Sequence, residues 1–196
     1  MNMNTYIDEY NKCSKNPLYF FNKYLVLKDF TTDYIQFNAK NFQIKAINDY
    51  LTSNKIILNK NKKRQAGHTT ILIALALHKM LFSAAIETEN VLIRSFSYSS
   101  NEIILDKIMI INHLLEINCP FYNRLNRPIN IKKTSLQFIN GVIECFIGNP
   151  NILCRGRKIS MILFDEWWQY YNQNDVDLNP SSKDLNNGLI IAKVFN

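Results

Sequence analysis

The chain has 196 residues, 47% hydrophobic and 20% charged, which is the composition of one soluble globular domain with a real core. Five Gly and five Pro leave little room for flexible linkers or low-complexity tracts, and no internal repeat is visible. The net charge of +7 points to a polyanionic partner, with nucleic acid first, although a Lys-, Asn- and Ile-rich chain is also what AT-rich coding sequence produces.

The opening MNMNTYIDEYNK is polar and acidic, unlike a signal peptide. NPLYFFNKYLVL, from Asn16 to Leu27, starts at a proline and repeats its apolar residues at helical spacing, so a short amphipathic helix is expected. A second helix is expected over NAKNFQIKAINDYLTSNK, with Phe42, Ile44, Ala46, Ile47 and Leu51 mostly on one face. KIILN, Lys55 to Asn59, has the short Ile-rich run of a fully buried strand. A basic loop follows, then a helix beginning near His68. The run from Thr69 to Ile86 is the longest apolar stretch, but His78 and Lys79 interrupt it, which favours a buried helix over a membrane span.

NVLIRSFS, Asn90 to Ser97, is a second buried strand, and SNEIILDKIMIINHLLEI is a helix with apolar residues at i, i+3, i+4 and i+7. TSLQFINGVIECFIG alternates around Asn140-Gly141, a hairpin signal. ISMILFDE is a third buried strand ending in two acids, and NGLIIAKVFN is a fourth. This alternation predicts an α/β fold with a mainly parallel sheet flanked by helices, and ligands at the carboxyl ends of its strands. Cys13, Cys119, Cys145 and Cys154, with His68, His78 and His113, fall in no metal-ligand spacing. They read as free thiols and unrelated imidazoles in a reducing compartment.

The chemistry concentrates in two segments. NKNKKRQAGHTTILIALAL, Asn59 to Leu77, has the form of a phosphate-binding loop feeding a helix. Gly67 permits close backbone approach, the helix supplies N–H donors and its dipole, and Thr69 stands where a P-loop hydroxyl holds magnesium. The lysine position is occupied by His68 and the first-glycine position by Lys62. An ammonium on a flexible stem reaches the same phosphates from the start of the loop, so Lys62 is the candidate substitute, with Lys63 behind it. His68 has the means to donate a hydrogen bond to phosphate. Arg64, inside the loop, is placed to stabilise charge at a γ-phosphate, or is simply a surface residue of a basic run. Gln65, Ala66 and Thr70 complete the segment. The second segment is the acid pair: Asp165 as a magnesium ligand and Glu166 as the residue that orients or activates the attacking water, unless the pair merely caps a following helix. The aromatic run EWWQYY reads as packing rather than base stacking.

RQAGHTT at Arg64–Thr70, CRGRKISMILFDEWW at Cys154–Trp168, NPLYFFNKYLVLKD and FQIKAINDYL together resemble, in order and spacing, the N-terminal ATPase of the large terminase subunit of tailed bacteriophages. The resemblance runs from Asn16 to the end. It implies a RecA-like (ASCE) P-loop NTPase fold, with a β-hairpin insertion before the Walker B strand, over one domain. Residues 1–54 would be N-terminal helices carrying an adenine-contacting segment, and 55–196 the ATPase core. It gives Gln43 the role of contacting the adenine edge. It implies ATP and Mg2+ as cofactors, double-stranded DNA as the moved partner, a portal protein and a small terminase subunit as protein partners, and a homo-oligomeric ring on a procapsid in the host cytoplasm, with no membrane. Departures are His68 at the lysine position and a chain that stops before the family's coupling motif and nuclease domain, so a truncated or split product without nuclease activity is expected. Two other readings stay open: another RecA-like translocase or helicase fragment, and a nucleotide-binding or structural remnant that does not hydrolyse ATP.

Overall fold

The computed structural model describes residues 3–28, 34–53, 55–58, 67–83, 88–95, 97–147, 159–164 and 190–194. Helix α1 (Met3–Lys15) and helix α2 (Pro17–Tyr24) lead into a two-stranded antiparallel ribbon, β1 (Val26–Lys28) and β2 (Tyr34–Gln36). Helix α3 (Asn41–Ser53), strand β3 (Lys55–Leu58), helix α4 (His68–Leu81), strand β4 (Glu89–Arg94) and helix α5 (Tyr98–Asn118) follow. The remaining strands are β5 (Pro128–Lys132), β6 (Ser135–Phe138), β7 (Gly141–Phe146), β8 (Met161–Phe164) and β9 (Ile190–Val194).

The main sheet has the order β3-β9-β8-β4-β7-β6-β5. β3, β9, β8, β4 and β7 run parallel, so their carboxyl ends share one edge, and β6 and β5 close the other side antiparallel. Parallel strands read as continuous apolar runs because both faces are covered. Val91, Ile93, Ile143, Cys145, Met161 and Leu163 belong to the main core on one face, while Leu92, Phe146 and Ile162 are buried on the other.

Helix α4 is apolar all round. Ile71 to Leu77, Met80 and Leu81 are each at most 1% exposed, the state that a helix without a polar face has to reach. One side of it meets the sheet; α2, α3 and α5 also pack on it. His78 and Phe82, in its last turns, enter an aromatic cluster with Phe20, Phe21 and Phe121. The helices α1 and α2 are tied by the Glu9 carboxylate, which accepts from Tyr24 Oη (2.7 Å) and Lys23 Nζ (2.8 Å) and also meets Tyr19 Oη. Cys13, Cys119 and Cys145 are buried free thiols; Cys154 lies outside the described residues.

The structure corrects several expectations. The polar opening is helical, α1, within the expected N-terminal helices; Tyr6, Tyr10 and Cys13 recur on one side of it and pack on the core, while other expectations shift. The helix from Asn16 ends at Tyr24, and Val26–Lys28 is strand. Asn16 caps it, its Oδ1 accepting from Tyr19 N at 3.0 Å. In α3 the buried residues are Gln43, Ala46, Ile47 and Tyr50, while Leu51 is exposed. The face is therefore rotated from the apolar one read in the sequence, and it carries a polar glutamine inward. The hairpin turn is Ile139-Asn140, since Phe138 pairs with Gly141. Gly141 is there for packing: a Cβ on it would stand 1.6 Å from the Glu89 carbonyl oxygen. Its strand, β7, is an internal member of the sheet beside β4.

His78 is 5% exposed, and its Nε2 donates to the Cys13 carbonyl at 2.9 Å, since a carbonyl only accepts. Burial pushes its pKa down to about 4, against the opposing pull of that hydrogen bond. The unfolded chain therefore binds a proton below its ordinary value of 6.5 that the folded chain refuses, and stability falls as pH drops from about 6.5 towards 4. The expected loss from this group between pH 7 and pH 4 is roughly 3 kcal/mol. Urea unfolding at both pH values checks it: in His78→Gln the difference between the two should shrink by most of that amount.

Candidate functional site

The site is built where the basic loop returns to α4. Gly67 takes φ 87° and ψ 24°, a left-handed conformation that favours glycine, and forms the N-cap of α4. Having no side chain, it leaves the helix start without a side-chain cap, and no acid stands in the first turn. The N–H groups of that turn and the positive end of a 14-residue helix therefore lie at Gly67, where the basic segment ends in the sequence. The Gly67 carbonyl accepts from Ile71 N at 3.1 Å and opens the helical ladder. Thr69 and Thr70 stand half-buried in the same turn, and His68 is its first residue.

Gln43 comes to this junction from α3. Its Oε1 accepts from Lys40 N at 2.9 Å, and its Nε2 donates to Gly67 O at 3.4 Å. The first contact is half of a capping box, a Gln at the third helical position reaching back to the N–H before the helix. The amide is 4% exposed.

The acids follow β8. Phe164, the last residue of β8, is level with Arg94 on β4 and with Lys193 on β9, and β9 is level with β3 through Leu58 and Val194. The strand leading into the basic loop and the strand leading into Asp165 are therefore two strand spacings apart, about 10 Å, and end on the same edge. Lys62, Lys63, Arg64, Gln65 and Ala66 lie outside the described residues, as do Asp165, Glu166, Trp167 and Trp168. The structure thus brings together Gln43, Gly67, Thr69 and Thr70, and sets the strand before the acids at the same edge.

At this edge the sequence reading missed a buried polar group. Arg94 is 6% exposed at the end of β4, followed by buried Ser95, whose Oγ is hydrogen-bonded to Asn101 Oδ1 in α5. Ser97 caps α5, accepting from Ser100 N at 3.1 Å. The signal was available: an arginine closing the apolar run VLIR faces burial beside other strands, which is costly for a guanidinium without an anionic complement.

Chemically, the backbone donors of a helix start at a left-handed glycine suit an anion such as phosphate, and the Thr69 hydroxyl in that turn is a hard oxygen donor of the kind magnesium takes. Among the described residues no group of three His, Cys, Asp or Glu converges to hold a metal ion. No described helix is long and apolar enough to cross a membrane.

Scanned against models of protein families the chain matches none, and no curated protein matches it in sequence. Its structural neighbours are phage large terminases. The fold is similar to the large terminase of bacteriophage HK97, with a TM-score of 0.63 at 13% identity over 92% of this chain and 37% of that one. Two structures of the large terminase ATPase domain of Thermus phage P74-26, one an arginine-to-alanine mutant, align with TM-scores of 0.48 and 0.49 at 15% and 13% identity. Each covers 81% of this chain and 65% of its own. The chain thus spans just over a third of the length of the HK97 protein.

Gly67→Ala tests the helix start. Its Cβ would be forced into a left-handed conformation and would stand 3.0 Å from Gln43 Nε2, so a loss of about 1–2 kcal/mol is expected in urea unfolding.

Proposed function

We propose that this chain is the ATPase part of a viral DNA-packaging motor, coupling ATP hydrolysis to movement of double-stranded DNA into a procapsid. One observation carries the reading. In a fold like that of the HK97 large terminase, an uncapped helix start at left-handed Gly67 shares the carboxyl edge of the sheet with the strand that leads into Asp165 and Glu166. The strand order, with β9 between β3 and β8, agrees with a RecA-like P-loop core.

In this reading the first-turn N–H groups of α4 bind the phosphate oxygens, and Lys62, with Lys63, adds the positive charge that a lysine after Gly67 would give. Thr69 and Asp165 hold magnesium. That ion, when bound with ATP, neutralises charge on the phosphates and polarises the bond to be broken. Glu166 orients a water for in-line attack and takes up its proton. Arg64 stabilises charge that develops on the transferred group. Gln65, Ala66 and His68 complete the loop around the phosphates. The excess positive charge of the chain suits a DNA partner. A portal protein, a small terminase subunit and a ring of copies on the procapsid in the host cytoplasm complete the proposed setting.

A second reading, a structural remnant that has lost its nucleotide and does not hydrolyse ATP, is favoured by one feature, His68 in the lysine position. Titration calorimetry with Mg-ATP separates the two. Wild-type binding that falls about 10- to 100-fold in Lys62→Ala is expected if the lysine has moved to the front of the loop. No wild-type binding, recovered in His68→Lys, would sink the motor reading in favour of the remnant.

A further inference from the structure

Gln43 stands at the centre of the described part of the site, and its environment decides what it does. Lys40 N is a donor only and Gly67 O an acceptor only, so the amide has one possible orientation, Oε1 towards Lys40 and Nε2 towards Gly67. A glutamine that reads a base does so with both ends of its amide at once, as a bidentate donor and acceptor. Here one N–H and one lone pair of that amide are already engaged by the protein, and at 4% exposure the residue leaves a ligand almost no surface to contact.

The atom that Nε2 meets is the one that matters for the loop. The Gly67 carbonyl already accepts from Ile71 N, and the second donor fixes it from the side of α3. Glycine enters the left-handed region without strain but also leaves it easily, so contacts on its peptide group narrow what it samples. Gln43 is the side chain that stands against Gly67, close enough that even a methyl there would be 3.0 Å away.

We infer that Gln43 is a positioning residue for the phosphate-binding loop, which fixes Gly67 and the first turn of α4, rather than a reader of the adenine base. The inference rests on the reading of the loop as a nucleotide site, and it changes what that site recognises: phosphates are gripped through a pre-set helix start, and base identity is left to other residues.

The test compares three probes by titration calorimetry with magnesium: ATP, GTP and inorganic tripolyphosphate, which has no base. Gln43→Glu at pH 8 keeps an acceptor for Lys40 N and sets a second acceptor against Gly67 O. Gln43→Met, of similar length, removes both contacts. Loss of about 10-fold in affinity for all three probes is expected, the size of one hydrogen bond. A loss confined to ATP, with tripolyphosphate unchanged, would assign Gln43 to the base and overturn the inference; so would no change in any probe. If the wild-type chain binds none of the three, the nucleotide reading fails by itself. The link is then read from amide hydrogen exchange at Ile71, which should quicken about 10-fold in Gln43→Glu, and an unchanged rate there overturns it.

Discussion

The structure depends on the burial of α4. A helix with no polar face between Ile71 and Leu77 cannot lie on a surface, and the fold surrounds it: sheet on one side, α2, α3 and α5 on others. Its last turns are pinned as well, with His78 donating to Cys13 and Phe82 inside the aromatic cluster. Lys79, at the rim, pairs with Glu89 at the start of β4 at 3.1 Å. A helix held along its whole length has one remaining open end, and that end is the N-terminus at Gly67. Its first-turn N–H groups stand at the carboxyl edge of the parallel strands because α4 follows β3 in the chain and runs back along the sheet. Hydrophobic burial, which has no direction of its own, thereby fixes the direction of a set of polar donors.

The polar groups near that end are there because burial demanded partners. Gln43 is carried inward by the face that α3 buries; it gives the Lys40 N–H an acceptor and the Gly67 carbonyl a second donor beside Ile71 N. Ser95 and Asn101 satisfy each other at the β4–α5 junction. Arg94 brings a guanidinium to the row of strand ends where Phe164 leads into Asp165. The N-terminal helices are part of this frame. α1 and α2 hold the aromatic cluster against the far end of α4, and α3 delivers Gln43 to its near end.

Much of this was written locally. Ile-rich runs of four to six residues between basic or polar segments can only be buried strands at such spacing, and the helices of α4 and α5 announce themselves by length and period. Gly67 before a long apolar run marks a helix start whatever surrounds it. The faces of the short helices were less legible. In α3 the apolar residues are spread widely enough that Leu51 and Ile44 read as core positions where the fold buries Gln43 and Tyr50, and the choice fell to the neighbours. Asn140-Gly141 looked like a turn because glycine is usually chosen for its φ; here it was chosen because the Glu89 backbone leaves no space for a Cβ.

By itself the sequence determined the alternation of strands and helices, the basic segment before an apolar helix, and the acids that follow the ISMILF run, because each is a property of consecutive residues. Only the tertiary structure decided which strands are neighbours, that β9 lies between β3 and β8, and that the Gln43 amide meets the Gly67 carbonyl across 24 positions of the chain. Strand order and such contacts arise from how covered faces compete for one core. That competition is settled by the whole chain at once and leaves no mark in any short stretch of it.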